Sequence, residues 1–164
     1  PHLTLRESTV SDVEDFYRIY QDPSITKYME RLFPDRDEER SYMKDYIQKI
    51  YGFYGFGLWS VIHTVTGTVI GRAGLSVREG YEIPELGFVT EVAFQHQGYT
   101  YEICEAILRY ARDELEFPQV QAFCHPENTA SLHLLQKLGF SYAGEDLLQG
   151  IPHARYIVSL PKSC

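Results

Sequence analysis

The sequence predicts an α/β fold, a mixed sheet flanked by helices. Three observations carry that reading. Short runs rich in β-branched and aromatic residues recur along the chain, bounded by Gly, Pro, Asn and Asp. Between them lie stretches whose apolar residues recur at helical spacing. Their order is a strand, two helices, three strands, and then helix and strand in alternation, which builds a layered sheet-and-helix domain. At 164 residues and 19.0 kDa, the chain reads as a single domain, 1–164, large enough for a real core.

Leu3 to Arg6 is the first strand. Ser11-Asp12-Val13-Glu14 has the form of a capping box, with Ser at the cap and Glu at the third helical position. The helix it opens buries Val13, Phe16, Tyr17 and Tyr20 and stops before Asp22-Pro23, since a residue preceding Pro avoids the helical region. Asp35 caps a second helix, Arg36 to Ile50, with Tyr42, Tyr46, Ile47 and Ile50 on one side. The Gly-aromatic run Tyr51 to Gly57 reads as a loop. Leu58 to His63 and Thr68 to Val77 form a hairpin about Thr66-Gly67. After a turn at Glu79-Gly80, Glu85 to Phe94 reads as a strand. The next helix carries Ile103, Ala106, Ile107, Tyr110 and Ala111 on its apolar stripe. Val120 to Cys124 is a strand, and Asn128 to Leu138 a helix ended by Gly139. Ser141 to Gly144 and Arg155 to Leu160 close the sheet, with Gly150 and Pro152 in the turn between them.

Composition excludes some functions. A net charge of −8 argues against a nucleic-acid partner, which requires clustered positive charge, and suits a cationic substrate. Cys104, Cys124 and Cys164 are odd in number and irregular in spacing, so they make neither a disulfide framework nor a zinc pattern. They read as free thiols in a reducing cytoplasm. No apolar run has membrane-spanning length and no signal peptide is visible, so no membrane partner is expected. The six histidines are scattered and none pair at metal-ligand spacing.

Gln95-His96-Gln97-Gly98-Tyr99-Thr100 lies between a strand and a strongly amphipathic helix. A Gly at this turn lets the backbone approach a ligand closely. The first amides of the helix are unpaired and carry the positive end of its dipole. Such a place attracts phosphate. Further on stands Asn128-Thr129-Ala130-Ser131, followed by Lys137-Leu138-Gly139-Phe140. Together these segments resemble the GNAT superfamily of N-acetyltransferases. The first matches its acetyl-CoA motif, (Gln/Arg)-x-x-Gly-x-(Gly/Ala), and the second its Asn-x-x-(Ser/Ala) helix with Lys-x-Gly-Phe. The Glu85-Leu86-Gly87-Phe88 start looks most like the branch that includes the ribosomal-protein N-terminal (Rim-type) acetyltransferases. The resemblance is firm over residues 58 to 145.

That resemblance implies a mostly antiparallel central sheet and acetyl-CoA as co-substrate. It also implies acetyl transfer to a primary amine by direct attack in a ternary complex. The chemistry needs a base for the amine, a fixed donor for the thioester carbonyl and a proton for the leaving thiolate. The expected base is Glu85, near the start of the central strand, with Glu91 as a solvated or loop-ordering charge. The carbonyl donor is a main-chain N–H within Thr90, Glu91 and Val92. The pyrophosphate sits on the amides of His96, Gly98, Thr100 and Tyr101, with Gln97 beside them. Asn128 holds the amide chain of acetyl-CoA, and Ser131 faces the sulfur. Thr100 departs from the family's Gly or Ala, and Leu135 stands where many members place a Tyr acid. The acceptor is an amine-bearing small molecule or a protein N-terminus, and a homodimer is compatible with this reading. Alternatives are an acetyltransferase for a polyamine, amino sugar or antibiotic, or a CoA-binding sensor without catalysis. The Gly-aromatic run, with Trp59, Tyr28 and Tyr42, is a candidate acceptor lining, although aromatics at this density also make core.

Overall fold

The computed structural model describes residues 2–162, so Cys164 lies outside the described residues. The strands are β1 (Leu3–Glu7), β2 (Leu58–His63), β3 (Thr68–Ser76), β4 (Glu85–Thr90), β5 (Gln119–Cys124), β6 (Ser141–Leu148) and β7 (Ile151–Ser159). They form one seven-stranded sheet in the order β1-β2-β3-β4-β5-β7-β6. Its helices are α1 (Val13–Tyr20), α2 (Pro23–Thr26), α3 (Arg36–Tyr46), α4 (Gly52–Tyr54), α5 (Tyr99–Asp113) and α6 (Thr129–Lys137). Pairing is antiparallel at β1–β2, β2–β3, β5–β7 and β6–β7, and parallel at β4–β5 through Glu85↔Gln121. This is the mixed, mostly antiparallel sheet with flanking helices that the sequence implied. The chain gathers into two compact units, Pro1–Gly74 with Phe88–Ile103, and Leu75–Gly87 with Cys104–Cys164.

In the first unit, the entry to α1 differs from the sequence reading. A 3₁₀ turn, Val10–Asp12, precedes the helix and is capped by Thr9. The Asp12 carboxylate accepts the Thr9 N–H at 2.9 Å, while the Ser11 hydroxyl only meets that of Thr9 at 2.8 Å. The reason is burial: Asp12 is nearly covered and is held by Arg6 at 2.7 and 2.9 Å and by the Ser60 hydroxyl at 2.8 Å. Burial pushes its carboxyl up, but Arg6, the Thr9 N–H and Ser60 outweigh that and hold it below the usual aspartate range.

The stripe α1 buries is Val13, Phe16 and Ile19, with Tyr17 and Tyr20 only partly covered. Burying side chains of this size contributes about 1.5–3 kcal/mol each. They join Ile25, Met43, Val69 and Val89 in the core of this unit. Asp35 caps α3 as expected, accepting the Asp37 and Glu38 amides at 2.7 and 3.3 Å. α3 buries Met43 and Glu39, whereas Tyr42 is 47% exposed.

The helix does not stop at Ile50. It widens into a π turn, Ile47–Tyr51, and continues through α4 to Gly55, whose φ of +75° ends it. Much of the segment read as a loop is therefore helical. Two tyrosines of this stretch close onto backbone: the Tyr46 hydroxyl accepts the Leu58 N–H at 2.8 Å, and the Tyr51 hydroxyl accepts the Ser8 N–H at 3.0 Å and donates to the Leu58 carbonyl. Their hydroxyls are thus engaged in holding the fold.

In the second unit, α5 contributes Cys104, Ile107, Leu108 and Ala111 as buried residues, after Ile103 at its start in the first unit. Ala106 and Tyr110, expected on this stripe, are exposed. Both sets obey helical spacing, and the sheet selects between them. β6 and β7 form a hairpin turning at Gln149-Gly150, with φ of +52° and +78°, the left-handed pair that a two-residue type I′ turn requires. Pro152, read as a turn residue, lies within β7 opposite Leu147. It sits beyond the last β5 partner pair, Cys124↔Ala154, where its missing N–H breaks no ladder bond on that side.

Candidate active site

The first unit carries the loop from Thr90 to Tyr101. β4 ends at Thr90, short of the expected Phe94: the Glu91 N–H still bonds across to the Ile70 carbonyl of β3 at 2.7 Å, and the chain then winds into a 3₁₀ turn, Val92–Phe94. Among Thr90, Glu91 and Val92, the amide of Glu91 is thus engaged. Val92 opens the turn, and the first amides of such a turn have no intrahelical acceptor.

His96 and Gly98 follow, with φ of +62° and +80°. A Cβ built on Gly98 meets nothing within 4 Å, so this side of the loop is open. The Gly98 carbonyl accepts the Glu102 N–H at 3.1 Å. That bond starts α5 and leaves Tyr99 and Thr100 in its first turn, with amides beyond the reach of the helical ladder. Left-handed residues beside a helix N-terminus make a concave row of N–H donors. The loop therefore fits a pyrophosphate.

Side chains here stabilise the loop itself. The Gln95 amide donates to the Thr90 carbonyl at 2.9 Å, and Gln97 to the Ala93 carbonyl at 3.4 Å. The Thr100 hydroxyl meets that of Thr90 at 2.7 Å. Thr100, which departs from the family pattern, thus ties the first turn of α5 to the end of β4. Glu91 accepts from Arg18 Nε at 3.1 Å, a loop-ordering contact as expected. Arg18 itself was not legible as a partner, since no pattern links it to residue 91.

The second unit carries the start of α6. The Asn128 Oδ1 caps the helix by accepting the Ser131 N–H at 3.3 Å. The Ser131 hydroxyl is half-buried and makes no hydrogen bond among the described residues. Leu135 is fully buried, so this position is part of the core. Cys124, also buried, donates to the His125 and Asn128 carbonyls at 3.3 and 3.5 Å, and burial raises both its thiol and that of Cys104. Neither thiol is suited to nucleophilic work.

The same unit holds an open groove of about 750 Å³ between the 76–81 connection and the tip of the β6–β7 hairpin. Glu85 lies in its lining with Arg78, Glu79, Tyr81 and Asp146. Arg78 Nε donates to Glu85 Oε1, and Nη2 to Oε2 at 3.0 Å. Its guanidinium also covers the Phe123 ring at 5.1 Å. Behind this pair, Gln121 is fully buried, accepts from Arg155 Nε at 2.8 Å and donates to the Ile83 carbonyl at 3.1 Å. Arg78, Tyr81 and Asp146 escaped the sequence reading because no spacing links them. Trp59, Tyr28, Tyr42 and the 51–57 segment do not line the groove.

Comparison with known proteins gives the class. Residues 2–141 match the acetyltransferase (GNAT) domain family, and the chain belongs to it. It is an acetyltransferase whose co-substrate is acetyl-CoA, as for other members of the family. It is 29% identical over 146 residues to an uncharacterized N-acetyltransferase, p20, of Bacillus licheniformis, covering 87% of this chain and 80% of that protein. The fold is shared with the ribosomal-protein-S5-alanine acetyltransferase of Vibrio fischeri, at a TM-score of 0.81 and 14% identity over 98% of this chain and 94% of that one. It is shared equally with the spermidine N-acetyltransferase of Vibrio cholerae in complex with CoA and spermine, at a TM-score of 0.81 and 18% identity over 97% and 96% of the two chains.

Proposed function

We propose that this enzyme acetylates a primary amine on a small cationic acceptor, by direct attack within a ternary complex. The acidic groove carries this reading. Its lining sets Glu79, Glu85 and Asp146 against the single guanidinium of Arg78, a surplus of negative charge that favours an amine bearing further positive charge. Its volume suits a small molecule. A polyamine or amino sugar fits this chemistry better than a protein N-terminus does. The fold is shared equally with an enzyme bound to spermine and with a ribosomal-protein acetyltransferase, so the charge of the groove, not the fold, favours the polyamine or amino sugar over the Rim-type acceptor.

In this reading, the amides of His96, Gly98, Thr100 and Tyr101, with Gln97 alongside, hold the pyrophosphate of acetyl-CoA. The Val92 amide, in the Thr90–Val92 segment, polarises the thioester carbonyl. Asn128 binds the amide chain while capping α6, and the Ser131 hydroxyl faces the departing sulfur and donates a hydrogen bond to the thiolate, which takes its proton from water. Glu85 takes the amine's proton, directly or through water, with Arg78 fixing the orientation of its carboxylate. The whole 1–164 chain works as one catalytic domain, and the free buried thiols Cys104 and Cys124 support work in the reducing cytoplasm.

A panel of polyamines, amino sugars, aminoglycosides and N-terminal peptides, incubated with acetyl-CoA and read by mass spectrometry, tests the reading. Acetylated polyamine or amino sugar is the expected product. Acetylated peptide alone would move the enzyme to the protein-modifying branch. Acetyl-CoA binding with no product from any amine would identify a sensor.

A further inference from the structure

The Arg18 side chain, in the last turn of α1, reaches out of its own helix to the β3 and β4 ends. Nε donates to Glu91 Oε1 at 3.1 Å, Nη2 donates to the Val69 carbonyl at 2.6 Å and approaches Glu91 Oε2 at 3.5 Å, and Nη1 donates to Asp15. All three guanidinium nitrogens are therefore engaged. The place they hold is irregular. The β2–β3 register shifts between Val61 and Ile62, whose partners are Gly71 and Val69, so Ile70 is the extra residue. The carbonyl of that residue accepts the Glu91 N–H at 2.7 Å. A bulge of this kind redirects the backbone beside it. Val69 and Ile70 thus each spend their carbonyl on this junction, one on Arg18 and the other on Glu91. Glu91 is gripped by its side chain and its amide at once.

We infer that Arg18 is a positioning residue for catalysis: it clamps Glu91 and the β3 bulge so that the next amide, that of Val92, is held in place for the thioester carbonyl. An exposed ion pair contributes little to stability, and Arg18 is 41% exposed in its side chain. The clamp matters through geometry, because a donor to a developing oxyanion acts only when it is already fixed. A planar fork can meet Glu91, Asp15 and the Val69 carbonyl together, whereas the single ammonium of lysine cannot.

The inference rests on the placement of the thioester given above, and its test needs no acceptor. Titration calorimetry with acetyl-CoA and with CoA isolates the acetyl contact, because CoA lacks the carbonyl. Arg18→Ala should lower the ratio of the CoA to acetyl-CoA dissociation constants about fivefold, the size of one neutral hydrogen bond. Glu91→Ala should lower it equally, and the double variant no further, as residues acting through one contact are not additive. Arg18→Lys should show the same direction, and it replaces Arg18→Ala if that variant does not fold. A ratio unchanged in folded Arg18 variants, or single losses that multiply in the double variant, would overturn the clamp while leaving the cofactor site intact. Equal affinity of the wild-type enzyme for both ligands would remove the thioester placement, and the clamp with it.

Discussion

Replacing Glu85 by Gln separates a base from an anchor. In the folded enzyme both carboxylate oxygens accept from Arg78. Gln can keep one of those bonds, but its NH₂ then faces a guanidinium N–H, donor against donor. The side chains are 17% and 36% exposed, so the lost charge-assisted bond is screened and contributes about 1 kcal/mol or less. For a chain of this size, that lowers the melting temperature by about 2–4 °C. Loss of a general base is larger: a hundredfold fall in turnover corresponds to about 2.7 kcal/mol of barrier. The two effects are therefore resolvable in one variant.

Steady-state turnover of the acceptor found in the amine panel, measured across pH beside thermal melting, is the assay. The expected result is a hundredfold or greater loss near neutral pH that narrows at high pH, where more of the amine is already deprotonated. Acetyl-CoA affinity should hold, since no main-chain donor is altered. Arg78→Lys, which keeps a cation but not the fork, should lower turnover less than Glu85→Gln does. A Glu85→Gln pH–rate profile parallel to wild type, with a loss matched by Arg78→Lys, would refute the base role and leave the pair as an anchor.

Gly98→Val should abolish acetyl-CoA binding, because a branched side chain is strained at φ +80° and would fill the open side of the donor row; calorimetry on the folded variant checks it, and unchanged affinity would count against the phosphate site. Ser131→Ala should lower kcat several-fold with acetyl-CoA affinity held, as expected of a group that acts on the departing thiolate; stopped-flow detection of free thiol reads this, and a wild-type kcat would return Ser131 to the helix turn. Asp12, with its carboxyl held down in the folded state, adds stability that is fully present above the unfolded aspartate value of about 3.9 and is lost as pH falls through the lower folded value. Asp12→Asn should melt about 4–8 °C lower at pH 7, about 2 kcal/mol for a pair whose Asp12 is covered but whose Arg6 is 42% exposed, and the gap to wild type should close on acidification from pH 5 to pH 2.

The sequence displayed most of the architecture, because strands and helices follow periodicity and punctuation. Asp35 as a cap, the 66–67 hairpin and Gly139 as a helix stop are local chemistry, and they read correctly. The errors arose where a distant partner decides. Ala106 and Cys104 fit equally well on a helical stripe, and only the neighbouring sheet determines which is covered. Thr9 caps in place of Ser11 because Arg6 and Ser60 draw Asp12 inward. β4 stops at Thr90 because, after one more bond across to Ile70 of β3, the chain winds into the 3₁₀ turn Val92–Phe94. The loop from Thr90 to Tyr101, proposed above to hold the pyrophosphate, stood out for a related reason: it is one contiguous segment whose proposed task belongs to the backbone. The groove did not, since its walls come from residues 76–81 and 146–149, which share no pattern.

One wall of that groove is the tip of the β6–β7 hairpin. A two-residue left-handed turn at Gln149 and Gly150 joins the strands, and Asp146, Leu147 and Leu148 stand in β6 opposite His153, Pro152 and Ile151, so their backbones hold the ladder while their side chains can change in character. On the proposed reading of the groove as the acceptor site, acceptor preference can drift by exchange of side chains at this end of β6, while the loop before α5 stays as it is. On that reading, exchange of positions 146–149 between members of the family is the smallest graft that would carry a substrate preference with it.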